Sequence, residues 1–253
     1  MRKIKLLTAS MVLAAMFMFS GHTIYANQQG SDNHYMKYTV LQVEDLNKEE
    51  KQFVDEVKTM KGIYKKDDLY VIALGPKPTA VYSLNFVKQK ESWEQIILYF
   101  KETKPDPDAM NAEVITYPYI VAKMAKPKTV SLSFLDSETG NELIGQAVKE
   151  LDVWEMRTEI AKDKKWVVKF NQELDPQTIT TDNIFIKEYG TVETVPLTKA
   201  ILSKDKKSVT LVPDENFKPD SRYQIIISPE IKGKNGLNML KGVIVPFTVK
   251  CKK

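Results

Sequence analysis

Six consecutive apolar residues, Leu69-Tyr70-Val71-Ile72-Ala73-Leu74, run straight into Gly75-Pro76-Lys77-Pro78-Thr79, and an extended pattern resumes at Tyr82. A strand that is apolar on both faces belongs in the middle of a sheet with cover on each side. The Gly/Pro stretch ends that strand and presents a stiff loop. Loops of this kind on a β scaffold serve binding more often than chemistry.

The segments around this strand alternate in the same way. Tyr82, Leu84 and Phe86 alternate with Ser83 and Asn85, and Ile96, Leu98 and Phe100 form the inward face of a further strand. Lys104-Pro105-Asp106-Pro107-Asp108 is a turn-rich break. Val114 to Met124 is extended, with Pro118 marking an edge or a bulge. Val130, Leu132 and Phe134 follow, then a hairpin-type turn at Ser137 to Asn141. Before all of these, Tyr38 to Val43 predicts a short strand. Asn47 to Lys61 predicts one helix, with Asn47 as cap, Glu50 completing a capping box and Gly62 closing it. Phe53, Val54, Val57 and Met60 make its apolar face. Residues 38–148 are therefore expected to form an α+β domain with one helix.

Residues 149–163 are charged and weakly patterned, and are expected to connect two domains, with room for a helical turn. A second β run follows. Trp166, Val168 and Phe170, then Val209 and Leu211, then Tyr223, Ile225 and Ile227, then Val245, Phe247 and Val249 repeat the alternation. Short strands at this spacing predict a β-sandwich over 164–250. The fold class expected is mainly β, in two domains.

Arg2, Lys3 and Lys5 precede an apolar run from Leu6 to Phe19, and Ile24-Tyr25-Ala26 supplies a cleavage pattern. Residues 1–26 thus read as a secretory signal, with cleavage expected after Ala26. Residues 27–37 form a polar lead. Membrane contact is expected only through the signal during export. Of 37 basic residues, three leave with the signal and no acidic ones do, so 34 face 33 acidic residues, a net charge of +1. Net charge gives no case for nucleic acid. One cysteine, Cys251, excludes an intrachain disulfide.

Residues for chemistry are sparse. His34 lies in the polar lead and Cys251 in the tail, neither of them a place where packing orients a nucleophile or a base. No set of three or four His, Cys or carboxylate residues stands at zinc spacing. Gly233 and Gly236 lack the following helix of a phosphate-binding loop. Asp136, Glu138, Asn141 and Glu142 offer oxygens that a calcium ion could use, though a plain turn accounts for the same pattern. Asp106 and Asp108 sit at a loop tip. The expectation is a protein that is not an enzyme and has no cofactor or metal.

Two resemblances add to this reading. Trp166 to Pro176, Ile184-Phe185-Ile186, Ser208 to Pro213, Phe217 to Tyr223, Asn235-Gly236-Leu237 and Pro246-Phe247-Thr248-Val249 together resemble an SbsA-type bacterial Ig-like domain. That implies a sandwich without a disulfide and a spacer or adhesive role. Pro219 to Tyr223 has the form of a tyrosine corner. Gly75, Pro78-Thr79, Tyr82, Tyr117-Pro118-Tyr119 and Val130 to Phe134 resemble the C-terminal domain of PrcB, a protease-complex subunit family. The sequence departs from it at Ala80-Val81, where that family carries two glycines. The Pro-Thr-x-x-Tyr loop is also similar to the first loop of chagasin-type protease inhibitors.

The PrcB resemblance implies association with an extracellular protease, as assembly partner, stabiliser or inhibitor. The expected contact residues are Gly75, Pro76, Pro78, Thr79, Tyr82, Tyr117 and Tyr119. The alternative is a structural or adhesive component of the cell surface or envelope, using the Ig-like domain. Either role places the protein in the medium or on the cell wall.

Overall fold

The computed structural model describes residues 38–250 except 93, 125–129, 146, 192, 193 and 196, and gives the backbone alone for 194, 195, 197 and 198. The signal segment, the polar lead, His34 and Cys251 lie outside the described residues.

The N-terminal half holds β1 (Thr39–Leu41), α1 (Lys48–Val57), β2 (Lys61–Lys66), β3 (Leu69–Leu74), β4 (Lys77–Thr79), β5 (Ser83–Glu91), β6 (Gln95–Thr103), β7 (Glu113–Thr116), β8 (Tyr119–Lys123) and β9 (Ser131–Asp136). The C-terminal half holds β10 (Lys149–Val153), β11 (Arg157–Ile160), β12 (Trp166–Lys169), β13 (Ile184–Glu188), β14 (Thr194–Val195), β15 (Leu197–Leu202), β16 (Ser208–Pro213), β17 (Arg222–Ile227) and β18 (Gly242–Val249). The fold is mainly β with a single α-helix among the described residues.

Strand β3 lies between β2 and β8, and all six of its residues are buried. One face carries a core shared with the sheet β5-β6-β9, built on Tyr70, Ile72, Ile96, Leu98, Phe100 and Phe134. The other face is covered by α1. Asn47 caps that helix with the expected box, its Oδ1 accepting from the Glu50 N–H at 2.9 Å while Glu50 Oε2 accepts from the Asn47 N–H at 3.0 Å. The helix stops at Val57, four residues short of the sequence expectation. Gly62 does not close it but lies inside β2, where the Tyr64 ring occupies the space of a side chain. Residues 58–61 read as a helix tail because Met60 continues the apolar stripe, yet Met60 is buried in the turn after the helix and Lys61 opens β2.

The segment expected as a connection, 149–163, forms β10 and β11 rather than a helical turn. Strand β10 pairs in parallel with β2 at Lys149 and Glu150, and in parallel with β18 from Leu151 to Val153. It thereby joins the sheets of both halves into one, ordered β1-β8-β3-β2-β10-β18-β17-β13-β14. A second sheet, β12-β16-β15, closes a sandwich over Val209, Leu211, Ile225, Phe247 and their neighbours. The tyrosine corner forms as expected, with Tyr223 Oη accepting the Lys218 N–H at 3.0 Å. All described residues fall in a single compact unit.

The seam between the halves is sealed on one face by α1. Phe53, Val54 and Val57 pack in one cluster with Leu151, Ile226 and Ile244. Polar groups close it as well: Arg222 reaches Asp55 at 2.9 Å and also pairs with Glu56, and Gln224 Nε2 donates to the Glu56 carbonyl at 2.9 Å.

Candidate functional site

The Gly/Pro loop does not hang free. Gly75 adopts φ +71° and is buried against Lys61. Lys77 to Thr79 then pair antiparallel with β7, at Lys77 opposite Thr116 and Thr79 opposite Glu113. These two strands form their own two-stranded sheet, a ribbon outside the larger sheets. The Thr116 hydroxyl donates to the Thr79 carbonyl at 2.9 Å and reinforces it. At its base Lys77 bonds Glu102 of β6 at 2.7 Å and lies over the Tyr82 ring at 4.9 Å. The turn before β7 is held by Asp106, whose Oδ1 accepts the Asp108 N–H at 3.0 Å.

Beside the exposed Glu113, the ribbon shows apolar side chains to solvent. Val114 is 54% and Ile115 66% exposed, and Met110 is fully exposed. Side chains of consecutive strand residues point to opposite faces, so Val114 and Ile115 leave an apolar residue uncovered on each face. Pro78 and Val81 are exposed on the partner side.

The expected contact residues divide. Pro78 is exposed, and Pro76 and Tyr82 are half-buried. Gly75 and Thr79 are buried and shape the ribbon. Tyr119 packs toward the α1-side core. Tyr117 is half-buried and gives its hydroxyl to the Gly190 carbonyl of the C-terminal half at 2.5 Å. Sequence reasoning missed Val81, Met110, Val114 and Ile115. The signal is present, since Val114-Ile115 follow a turn-rich break, but the extended pattern runs on from Val114 to Met124, and only pairing shows that it divides at Pro118 into β7 and β8.

The other candidates resolve into structural roles. Asp136 Oδ1 accepts from the N–H groups of Glu138 and Thr139 and from the Thr139 hydroxyl. Those bonds, led by the Thr139 N–H, hold its carboxyl below the usual range, and they account for the acidic cluster as a locked turn. Among the described residues no group of three or more His, Cys, Asp or Glu side chains is placed to hold a metal. Burial pushes the Lys187 ammonium down to about 8. An open groove of about 470 Å³ lies at one loop end of the sandwich, beside Phe170, Gln172, Asn235, Leu237 and Leu240.

Comparison with known proteins bears on both halves. Residues 69–125 match the family model described as PrcB C-terminal, and residues 147–249 match that of the bacterial Ig-like domain. The two matches follow one another along the chain, PrcB C-terminal first and bacterial Ig-like domain second. The Ig-like match begins at 147, so it takes in β10 and β11. The PrcB match contains β3, the ribbon and β8. Among solved structures, the S-layer protein SbsC is similar at 17% identity and a TM-score of 0.31, over 39% of this chain and 13% of that one. The N-terminal part of SbsC gives the same identity and score, over 39% of this chain and 23% of that one. The present chain spans less than a quarter of either. No curated protein matches it.

Proposed function

We propose that the protein is exported and acts outside the cytoplasm as a non-enzymatic binding protein, engaging an extracellular protease through the β4–β7 ribbon of its PrcB-like half. The observation that carries this reading is the ribbon itself. It is stiffened by Pro76 and Pro78, tied down at its base by Lys77, and uncovered at Pro78, Val81, Val114 and Ile115. A preformed loop loses little entropy on binding, and an apolar centre with polar surroundings is the ordinary anatomy of a protein contact. The PrcB match over 69–125 supports a protease as the partner. The Ig-like half then serves as a spacer or as a second contact.

The test uses residues 27–253 as bait in spent culture medium, with a V114S/I115S double variant beside it. Retention of a protease by the first and not by the second is expected. If no protease is retained and secreted protease activity is unchanged on addition of the protein, the reading fails.

A second reading is supported by the bacterial Ig-like match: a structural or adhesive component of the cell surface. Tight sedimentation with washed cell walls would favour it, whereas protein found free in the medium counts against it.

A further inference from the structure

Tyr189 and Gly190 are neighbours in the turn between β13 and β14, and they reach two different elements of the PrcB-like half. The Tyr189 hydroxyl donates to Asp55 Oδ1 on α1 at 2.9 Å, and the Arg222 guanidinium lies 3.9 Å over its ring. The Gly190 carbonyl accepts the Tyr117 hydroxyl. Tyr117 is the corner between β7 and β8. The next residue, Pro118, accepts the Leu74 N–H at 3.0 Å, and Leu74 is the last residue before the Gly/Pro loop. Both roots of the ribbon therefore meet at Tyr117-Pro118, and that corner is fastened to the Ig-like half.

The turn is built to hold this position. The Thr191 N–H and hydroxyl both donate to the Glu188 carbonyl, at 3.3 and 2.9 Å, and the Tyr189 N–H donates to the Arg222 carbonyl at 2.8 Å. Gly190 has φ +76°, and a Cβ there would stand 2.9 Å from Tyr117 Oη. A side chain would be strained by the backbone and would press on the very hydroxyl the carbonyl accepts from.

We propose that the turn 188–191 is a positioning device: through Gly190 and Tyr117 the Ig-like half fixes how the β4–β7 ribbon stands on the body. Tyr117 and Gly190 are positioning residues in this scheme, and Pro78, Val81, Val114 and Ile115 the contact residues. The consequence for binding rests on the function proposed above, while the positioning itself does not.

Hydrogen exchange on residues 27–253 separates the two. Tyr117→Phe removes one hydroxyl and keeps the ring. Amides of Lys77, Thr79 and 113–117 are expected to exchange on the order of five-fold faster, the loss of one hydrogen bond, while those of β17 and β18 stay at their original rates. Tyr189→Phe breaks the bond to Asp55 and is expected to leave the ribbon amides unchanged. Unchanged ribbon exchange in Tyr117→Phe overturns the proposal. Equal acceleration in both variants also overturns it, because the ribbon would then report a generally loosened seam. Protease retention is scored in parallel. Faster ribbon exchange, in a protein whose original sequence retains no protease, keeps the positioning and sinks the binding reading.

Discussion

Glu56 is fully buried on α1, yet it is a carboxylate. It survives there because Arg222 pairs with it and Gln224 Nε2 donates to its Oε2 at 2.5 Å. Burial still pushes its carboxyl above the usual range, against the pull of Gln224 and Arg222. Its neighbour Asp55 goes the other way. Burial pushes it up too, but hydrogen bonds from Lys58, Tyr189 and Arg222 outweigh that and leave it below the usual range. The two side chains therefore shape stability oppositely with pH. The contribution of Asp55 is complete above its unfolded value, about 3.9, and is lost as pH falls through the depressed folded value. That of Glu56 is complete below about 4.3 and is lost as pH rises through the raised folded value. Glu56→Gln replaces one accepting oxygen by an amide N–H2 group that faces a donor, Arg222 or Gln224, and is expected to cost about 1–3 kcal/mol at pH 7. It should also remove the decline above pH 4.3 in urea titrations. Glu56→Ala takes one acceptor from Gln224, which keeps its bond to the residue-56 carbonyl, and one from Arg222, which keeps Asp55, and is expected to cost about 3 kcal/mol. None of this was legible in the sequence, since the partners lie 166 and 168 residues away. What was legible at this scale was local: the Asn47–Glu50 box spans three residues and the Tyr223 corner five.

Strands were recognisable where one face is apolar and the other polar, as in Leu84-Asn85-Phe86 or Ile96 to Phe100. They were missed where pairing alone makes the strand. In β10 only Leu151 is buried, and its neighbours turn to ions: Glu150 bonds Lys65 at 3.0 Å, and Lys241 lies 3.5 Å from both Glu150 and Asp152. A strand held by parallel neighbours from both halves needs little hydrophobic signal of its own. Leu151→Ala is accordingly expected to cost about 2–4 kcal/mol from a segment that reads as a charged connection, measured as a shift in the urea midpoint. The ribbon presents the opposite case. Val114→Ser and Ile115→Ser remove exposed side chains and are expected to move stability by no more than about 0.5 kcal/mol, with circular dichroism unchanged and partner retention lost. A large loss of stability in either variant would mean that the apolar faces of β7 are packed rather than presented, and the binding surface would have to be sought elsewhere.

At the scale of the molecule, the sequence reads as two domains connected by 149–163, a segment that the Ig-like match, beginning at 147, takes in. Each half has a core of its own, and both were legible from alternation. The third core was not. It draws Phe53, Val54 and Val57 from α1, Leu69 and Val71 from β3, Leu151 from β10, Ile226 from β17 and Ile244 from β18. Tyr223, Ile225 and Ile227 supply an inward face for β17, so alternation alone puts Gln224 and Ile226 on the outer one. In fact that outer face is the seam, and Gln224 is fully buried in it. A shared core and a shared sheet couple the two stabilities, because neither half can open without stripping apolar surface from the other. Independent domains joined by a linker would melt separately, as is the default for chains whose halves share only a small interface. Here the expectation is one calorimetric transition, with calorimetric and van't Hoff enthalpies equal. Leu151→Ala should lower that single transition as a whole rather than split it. Tryptophan fluorescence and far-ultraviolet dichroism of the whole chain should give coincident curves. Two resolved transitions in the original protein would show that β10 joins the halves in geometry without joining them in energy. The Ig-like half would then be a tethered neighbour of the ribbon, unable to hold it in place.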